Sequence, residues 1–237
     1  MPTPQGRPRR PTVDLNADLG EEVTDDAGLL GIVTSANLAC GYHAGTPGIM
    51  REVCAEAARR EVSVGAQVSY DDRENFGRVA RDVAYDVLRE QVADQVGTLA
   101  SIAAQEGSSV RYLKPHGALY HRVIDDDEQA RAVLDGSGSL PVLGMPGGLL
   151  LRLAGEAGRT VHTEGFPDRG YGPEGRLIPR DQPGAVLEDS DEIARRAVEL
   201  AGEVDSVCVH GDTSGAVAHA AAVRVALERA GLVLRGL

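Results

Sequence analysis

The sequence predicts an α/β protein organised around a parallel sheet, open or closed into a barrel. Short β-branched runs alternate with amphipathic helical patterns along the chain, the order that joins parallel strands through crossover helices. Polar, glycine-rich clusters follow many of the runs, and in α/β folds the carboxyl ends of the strands carry the ligand site. At 237 residues and 42% hydrophobic content, the chain can bury one substantial core without disulfides.

Residues 1–11, MPTPQGRPRRP, hold arginines and prolines but lead into polar and acidic residues with no apolar stretch, so they read as a disordered tail and not a secretory signal. Residues 12–237 read as a single domain, without internal repeat or linker. Buried parallel strands are predicted at 12–15, 31–35, 62–66, 110–113, 140–143, 160–163 and 206–209. Between the second and third, Thr46 is a helix N-cap with Pro47 at the first helical position. Ile49, Met50, Val53, Cys54, Ala57 and Ala58 then form one apolar face. A long helix is predicted over 83–105 and a terminal one over 215–230.

Composition removes several function classes. The 36 acidic residues outnumber the 24 basic ones for a formal charge of −12, against a nucleic-acid binder. No apolar run approaches the roughly 20 residues that span a bilayer. Cys40, Cys54 and Cys208 show no paired spacing, as expected of reduced thiols in a cytoplasm. Of the eight aromatics, Tyr42, Tyr70, Phe76, Tyr120, Phe166 and Tyr171 fall in polar, glycine-rich clusters, so an aliphatic core and an aromatic-walled pocket are expected.

The clusters carry the chemistry. Asp14, Asn16, Asp18 and Glu21 place three carboxylates within eight residues, and strand alternation aims the first three to one face. His43 sits in a glycine-rich bend, whereas Cys40 has no base beside it and reads as a small buried thiol. Lys114 is the one lysine among 24 basic residues, a compact charge suited to a phosphate or a polarised carbonyl. Pro115 holds it extended at a strand end, and as a surface-loop residue its replacement is expected to leave the fold intact. Glu164 with Asp168 and Arg169, and His210 with Asp212, supply further ionisable groups at later strand ends. A GxxxxGK[ST] nucleotide loop is absent from the sequence.

Taken in order, DLNADLGE (residues 14–21), SANLACGYHAG (35–45), DRENFGR (72–78), KPHGALY (114–120), DRGY (168–171), LIPRDQPGA (177–185) and VCVHGD (207–212) resemble the LamB/YcsF family over almost the whole chain. The resemblance implies a distorted single-domain β/α (TIM-like) barrel, similar to the glycoside hydrolase and polysaccharide deacetylase superfamily. It also implies ATP-dependent hydrolysis of 5-oxoproline to glutamate, as the A subunit of an enzyme with separate B and C subunits. Where the family has GAHP, this chain has Gly65-Ala66-Gln67-Val68. An amide cannot take up a proton and is a poorer metal ligand, so no tightly bound transition metal is expected.

From the clusters and the resemblance together, the catalytic candidates are Asp14, Asn16, Asp18, Glu21, Asn37, His43, Lys114 and His116. The substrate- or nucleotide-binding candidates are Tyr42, Gln67, Arg78, Tyr120, Glu164, Asp168, Arg169, His210 and Asp212. ATP would phosphorylate the lactam oxygen, Lys114 would neutralise the charge that develops, and His116 or His43 would handle protons. Asp14, Asp18 and Glu21 would hold Mg²⁺ with the nucleotide. Two other readings compete: a metal-dependent, deacetylase-like amidohydrolase, and a non-catalytic regulatory subunit that binds a small acid.

Overall fold

The computed structural model describes residues 11–213 and 215–237; apart from Pro11, the expected tail lies outside the described residues. β1 (Thr12–Leu19) closes the sheet on itself, pairing in parallel with β2 (Ser35–Ala39) on one side and β7 (Ser206–Val209) on the other. From β2 the ladder runs through β3 (Ser63–Val68), β4 (Val110–Pro115), β5 (Val142–Gly144) and β6 (Val161–Gly165) to β7, every pairing parallel. Among the described residues, seven strands therefore form a closed α/β barrel, and β8 (Val233–Leu234) adds to the start of β1.

Helices cover the outside. Ahead of α2 (Pro47–Arg60), the Thr46 hydroxyl accepts the Ile49 N–H at 3.3 Å, and Met50, Val53, Cys54 and Ala57 form the buried face, as the sequence predicts. α3 (Tyr85–Gln105) buries Leu88, Val92, Leu99 and Ile102. Its Gln95 amide bonds both the N–H and the C=O of Ser69, each at 2.9 Å, so this outer helix fixes the chain as it leaves β3. α1 (Asp26–Leu30), α4 (Gly117–Arg122), α5 (Asp127–Gly136), α6 (Leu149–Glu156), α7 (Ser190–Leu200) and α8 (Ala216–Arg229) complete the layer.

Several strands differ from their predicted bounds in a way that matters for the site. β1 continues to Leu19 and β4 to Pro115, so Asn16, Asp18 and Lys114 lie within strands and not in the loops after them. β2 starts at Ser35, where 31–35 is predicted; residues 31–34 instead form the turn from α1, with Val33 buried beneath it. The physical reason is that alternation has two buried faces here. Val13, Leu15, Ala17 and Leu19 pack in the main apolar cluster, while Asp14, Asn16 and Asp18 alternate with them and are buried as well.

The aromatic expectation holds in part. Tyr120 and Phe166 line a cavity, but Tyr70 is fully buried in the main core, its hydroxyl donating to Gln129 at 3.0 Å. Tyr112 lies inside the barrel, its ring against Gly65 of the neighbouring strand, and its hydroxyl donates to Asn37 at 2.6 Å. A Cβ at Gly65 would overlap that ring, whereas one at Gly97 in α3 would meet open space. Gly65→Ala is therefore expected to destabilise by about 1–3 kcal/mol. Gly97→Ala is expected to stabilise by up to about 1 kcal/mol. Thermal melts of both variants check this; an unchanged melting temperature for Gly65→Ala would contradict the packing.

Candidate active site

The barrel interior holds a hydrogen-bonded polar column. At its base, Asp14 accepts from Thr34 and Ser35 hydroxyls at 2.7 Å each and from Ser206. Burial pushes Asp14 up to about 6, against the opposing pull of those three hydroxyls. Above it, the Asn16 amide donates to Ser206 Oγ at 2.6 Å. Asn37 Nδ2 then donates to Asn16 Oδ1 at 2.6 Å and to Asp18 Oδ1 at 2.9 Å. Each member thus satisfies the next, as buried polar groups require.

Lys114 ends the column. Its Nζ lies 3.1 Å from Asp18 Oδ1, 3.0 Å from Glu164 Oε2 and 3.2 Å from Cys208 Sγ, and the residue is only 3% exposed. Burial would strip its proton, but Asp18, Cys208 and Glu164 more than offset that and hold the ammonium well above the usual lysine range. Asp18 is likewise held below its usual range: burial opposes ionisation, and Lys114 overcomes it. Glu164 is raised, because burial outweighs the same ammonium. Lys114 is therefore no surface-loop residue, and the expectation that replacing it leaves the fold intact is corrected.

Beside this triad, Gln67 Nε2 lies 2.9 Å from Glu21 Oε1 and 3.0 Å from His116 Nδ1. His116 Nε2 faces the Phe76 carbonyl at 3.1 Å, which can only accept, so Nε2 carries the proton and Nδ1 receives the Gln67 amide. His43 stacks on His116, centroids 4.0 Å apart and planes 14° apart. Neither His43 ring nitrogen has a hydrogen-bond partner among the described residues; Glu21 Oε1 is 3.7 Å from Nε2. Burial lowers His43 to about 4 and, with His43 beside it, holds His116 well below the histidine range; both rings are neutral. Burial raises Glu21 well above the usual carboxylate range.

Glu21, His43 and His116 each bring a ligand atom within 4.8 Å of the others, a set that suggests a metal centre. The arrangement does not fit one as it stands. An imidazole binds through an in-plane lone pair, and two nearly parallel stacked rings share no nearby point in both planes. The Gln67 amide nitrogen, within 3.0 Å of Glu21 and His116, also fills the space between two of the three ligands.

Of these groups Asp18, Lys114 and His116 line a cavity of about 520 Å³, with Tyr120, Phe166 and His210 among its other walls. His210 Nδ1 lies 3.0 Å from Asp168 Oδ2, and its ring stacks on Phe166 with centroids 5.2 Å apart. At the mouth, Arg78 and Arg180 both reach Asp212. Burial works against Asp212, but Arg180, His210 and Arg78 lower it.

The structure thus brings together Asp18, Glu21, Gln67, His43, Lys114, His116, Tyr120, Glu164, Asp168, His210, Arg78 and Asp212. It places three catalytic candidates below the floor: Asn37 holds Asp18 and is itself bonded to Asn16, and Asp14, closed off by three hydroxyls, lies apart from Asp18 and Glu21. Tyr42 lies apart, its hydroxyl donating to Asp94 of α3 at 3.3 Å. Arg169 lines the cavity, but its guanidinium is taken up by the Ala185 and Ile178 carbonyls. Sequence reasoning missed Ser206, Cys208 and Arg180. The first two sit at inward positions of a four-residue strand that reads as continuous apolar core, while Arg180 stands in a loop motif that gave no side-chain role.

Removing Lys114 leaves Asp18 and Glu164 buried side by side. Lys114→Ala is expected to destabilise the fold by about 3–5 kcal/mol, and adding Glu164→Gln to recover part of it. Melting curves of the two variants test this; a Lys114→Ala protein as stable as the parent would contradict the triad.

The LamB/YcsF family model matches residues 13–237. The 5-oxoprolinase A subunit of Streptomyces coelicolor is 51% identical over 243 residues, covering 93% of this chain and 97% of that protein. The protein of the same name from Cutibacterium acnes is 46% identical over 251 residues, covering 94% and 98%. The crystal structure of a lactam utilization protein from Thermus thermophilus matches with a TM-score of 0.88 at 36% identity, over 95% of this chain and 100% of that one. A family 4 carbohydrate esterase from Streptomyces lividans, with a TM-score of 0.57 at 12% identity over 94% and 91%, shares the fold alone. With sequence match and barrel agreeing across nearly every described residue, this chain belongs to the LamB/YcsF family.

Proposed function

We propose that this chain is the A subunit of a cytoplasmic, ATP-dependent 5-oxoprolinase, acting with separate B and C subunits to open 5-oxoproline to glutamate. The observation that carries the reading is the buried Lys114 ammonium at the floor of a cavity in a chain 51% identical to a protein named as the A subunit of 5-oxoprolinase. Among the described residues no helix is long and apolar enough to cross a membrane.

A lactam is a poor electrophile, and its oxygen must be activated before water attacks the carbonyl carbon. ATP transfers its γ-phosphoryl group to that oxygen and leaves as ADP. Water then adds to the carbon, the ring C–N bond breaks with a proton going to nitrogen, and a second water releases phosphate from the acyl phosphate. Lys114 meets the oxygen on which charge grows, and its cationic state is secured by Asp18 and Glu164. Of the two histidines, His116 lines the cavity but is committed to Gln67 and Phe76, whereas His43, buried and stacked on it, has unpartnered ring nitrogens among the described residues and is the one we assign to take the proton of attacking water. Of the three carboxylates of β1 and the turn after it, Asp18 is the one that lines the cavity and could serve Mg²⁺ arriving with the nucleotide. We further propose that no transition metal is held tightly; the stacked imidazoles weigh against the deacetylase-like alternative.

Glutamate release from 5-oxoproline, measured with and without ATP and the two other subunits, tests the reading. Turnover is expected only when all are present; robust ATP-coupled turnover by this chain alone, or none by the full set, would contradict it. In the full set, Lys114→Arg is expected to lose about 10²–10³-fold in turnover. A base works only when neutral, so with His43 lowered to about 4 the acid limb of kcat/KM is expected near pH 4. A limb at the ordinary histidine value would remove His43 from that role.

A further inference from the structure

The cavity's cation at the floor is neutralised, yet its mouth holds two guanidiniums on one carboxylate. Arg180 reaches Asp212 through both terminal nitrogens, Nη1 to Oδ2 at 3.3 Å and Nη2 to Oδ1 at 3.4 Å, and Arg78 pairs with the same carboxylate. The Arg180 fork is aligned for two-point contact but long for a charged pair, which ordinarily closes to about 2.7–2.9 Å. Such a contact is held in place without being tight.

The fold is built to place it. Arg169, 3% exposed, donates from Nε to the Ala185 carbonyl at 2.9 Å and from Nη2 to the Ile178 carbonyl at 2.7 Å. The Gly170 N–H also donates to Ala185 and the Gly170 carbonyl accepts from Ile178, at 3.0 and 2.9 Å. A buried guanidinium and two backbone bonds thus pin both ends of the segment that presents Arg180 to the cavity.

We propose that Arg180 and Arg78 form an oxyanion clamp at the cavity mouth, with Asp212 as the internal carboxylate that keeps the fork open until a ligand's carboxylate or phosphate takes its place on Arg180. This deepens the proposed function and rests on it for the substrate's identity. In this arrangement a lactam acid turns its ring carbonyl toward Lys114 and its carboxylate toward the clamp, both of which line the same cavity. Guanidinium suits this task better than ammonium, because its planar donors match two oxygens at once.

The test is equilibrium binding to the full chain, by calorimetry or ligand-observed NMR, with three probes: 5-oxoproline, inorganic phosphate and the neutral lactam 2-pyrrolidinone. Arg180→Gln is expected to weaken at least one anion by about tenfold or more, to leave the neutral lactam unchanged, and to melt with the parent. Arg180→Lys is expected to recover only part of the loss. A loss for 5-oxoproline assigns the carboxylate to the clamp, and a loss confined to phosphate assigns a phosphoryl group. If phosphate binding falls while 5-oxoproline binds neither protein, the clamp stands and the lactam reading fails. If the parent binds neither anion, or Arg180→Gln weakens neither, the clamp is overturned.

Discussion

One buried ammonium between two carboxylates organises this protein. Lys114 on β4, Asp18 on β1 and Glu164 on β6 come from strands far apart in sequence, and only closure of the barrel brings them within about 3 Å. Taking three charges out of water costs several kcal/mol per ion, so each must be compensated in place. Asn37, Asn16, Ser206 and Asp14 extend the compensation to the base of the barrel. A barrel of this size is ordinarily filled with branched aliphatic side chains. Here that apolar duty falls to the outward face of the strands and the helices over them, and the inside is left for chemistry.

From this floor the site has a vertical division of labour. Lys114 supplies fixed positive charge; the layer above holds the ionisable groups Glu21, His116 and His43, the first two tied together by the Gln67 amide. The His210–Asp168 pair and Phe166 form one wall, and the arginines form the mouth. The Gln67 amide gives one hydrogen to Glu21 and the other to His116, and so settles which nitrogen of His116 keeps a proton.

Much of this was legible in the sequence, and the failures have physical causes. Alternating runs and helices predicted the parallel sheet, and the Thr46-Pro47 start was legible together with an apolar face of which Met50, Val53, Cys54 and Ala57 are buried and Ile49 and Ala58 half-buried. The V-D-L-N-A-D-L pattern of β1 held both faces of a strand, but a loop reading for its polar half stopped the strand at residue 15. The same habit, taking polar residues for loop residues, put Lys114 at the surface and moved β2 upstream. Lys114 announced itself through composition, as the one lysine in the chain. Arg180 could not, being one of 23 arginines; its place depends on a loop braced by Arg169 across long-range backbone contacts. Tyr42 was misplaced because sequence proximity to His43 says nothing about direction at a glycine bend.

That single lysine also makes the central claim measurable. With lysine labelled by ¹³C at Cε, the folded chain gives one side-chain signal whose shift reports the charge on Nζ. If Asp18 and Glu164 hold the ammonium as the structure indicates, the signal stays that of a protonated amine through and beyond pH 10.5, the ordinary lysine value, until the protein unfolds. A signal that titrates at or below that value in the folded protein would mean that Lys114 is not locked in the triad, and the account of the site built on it would fail.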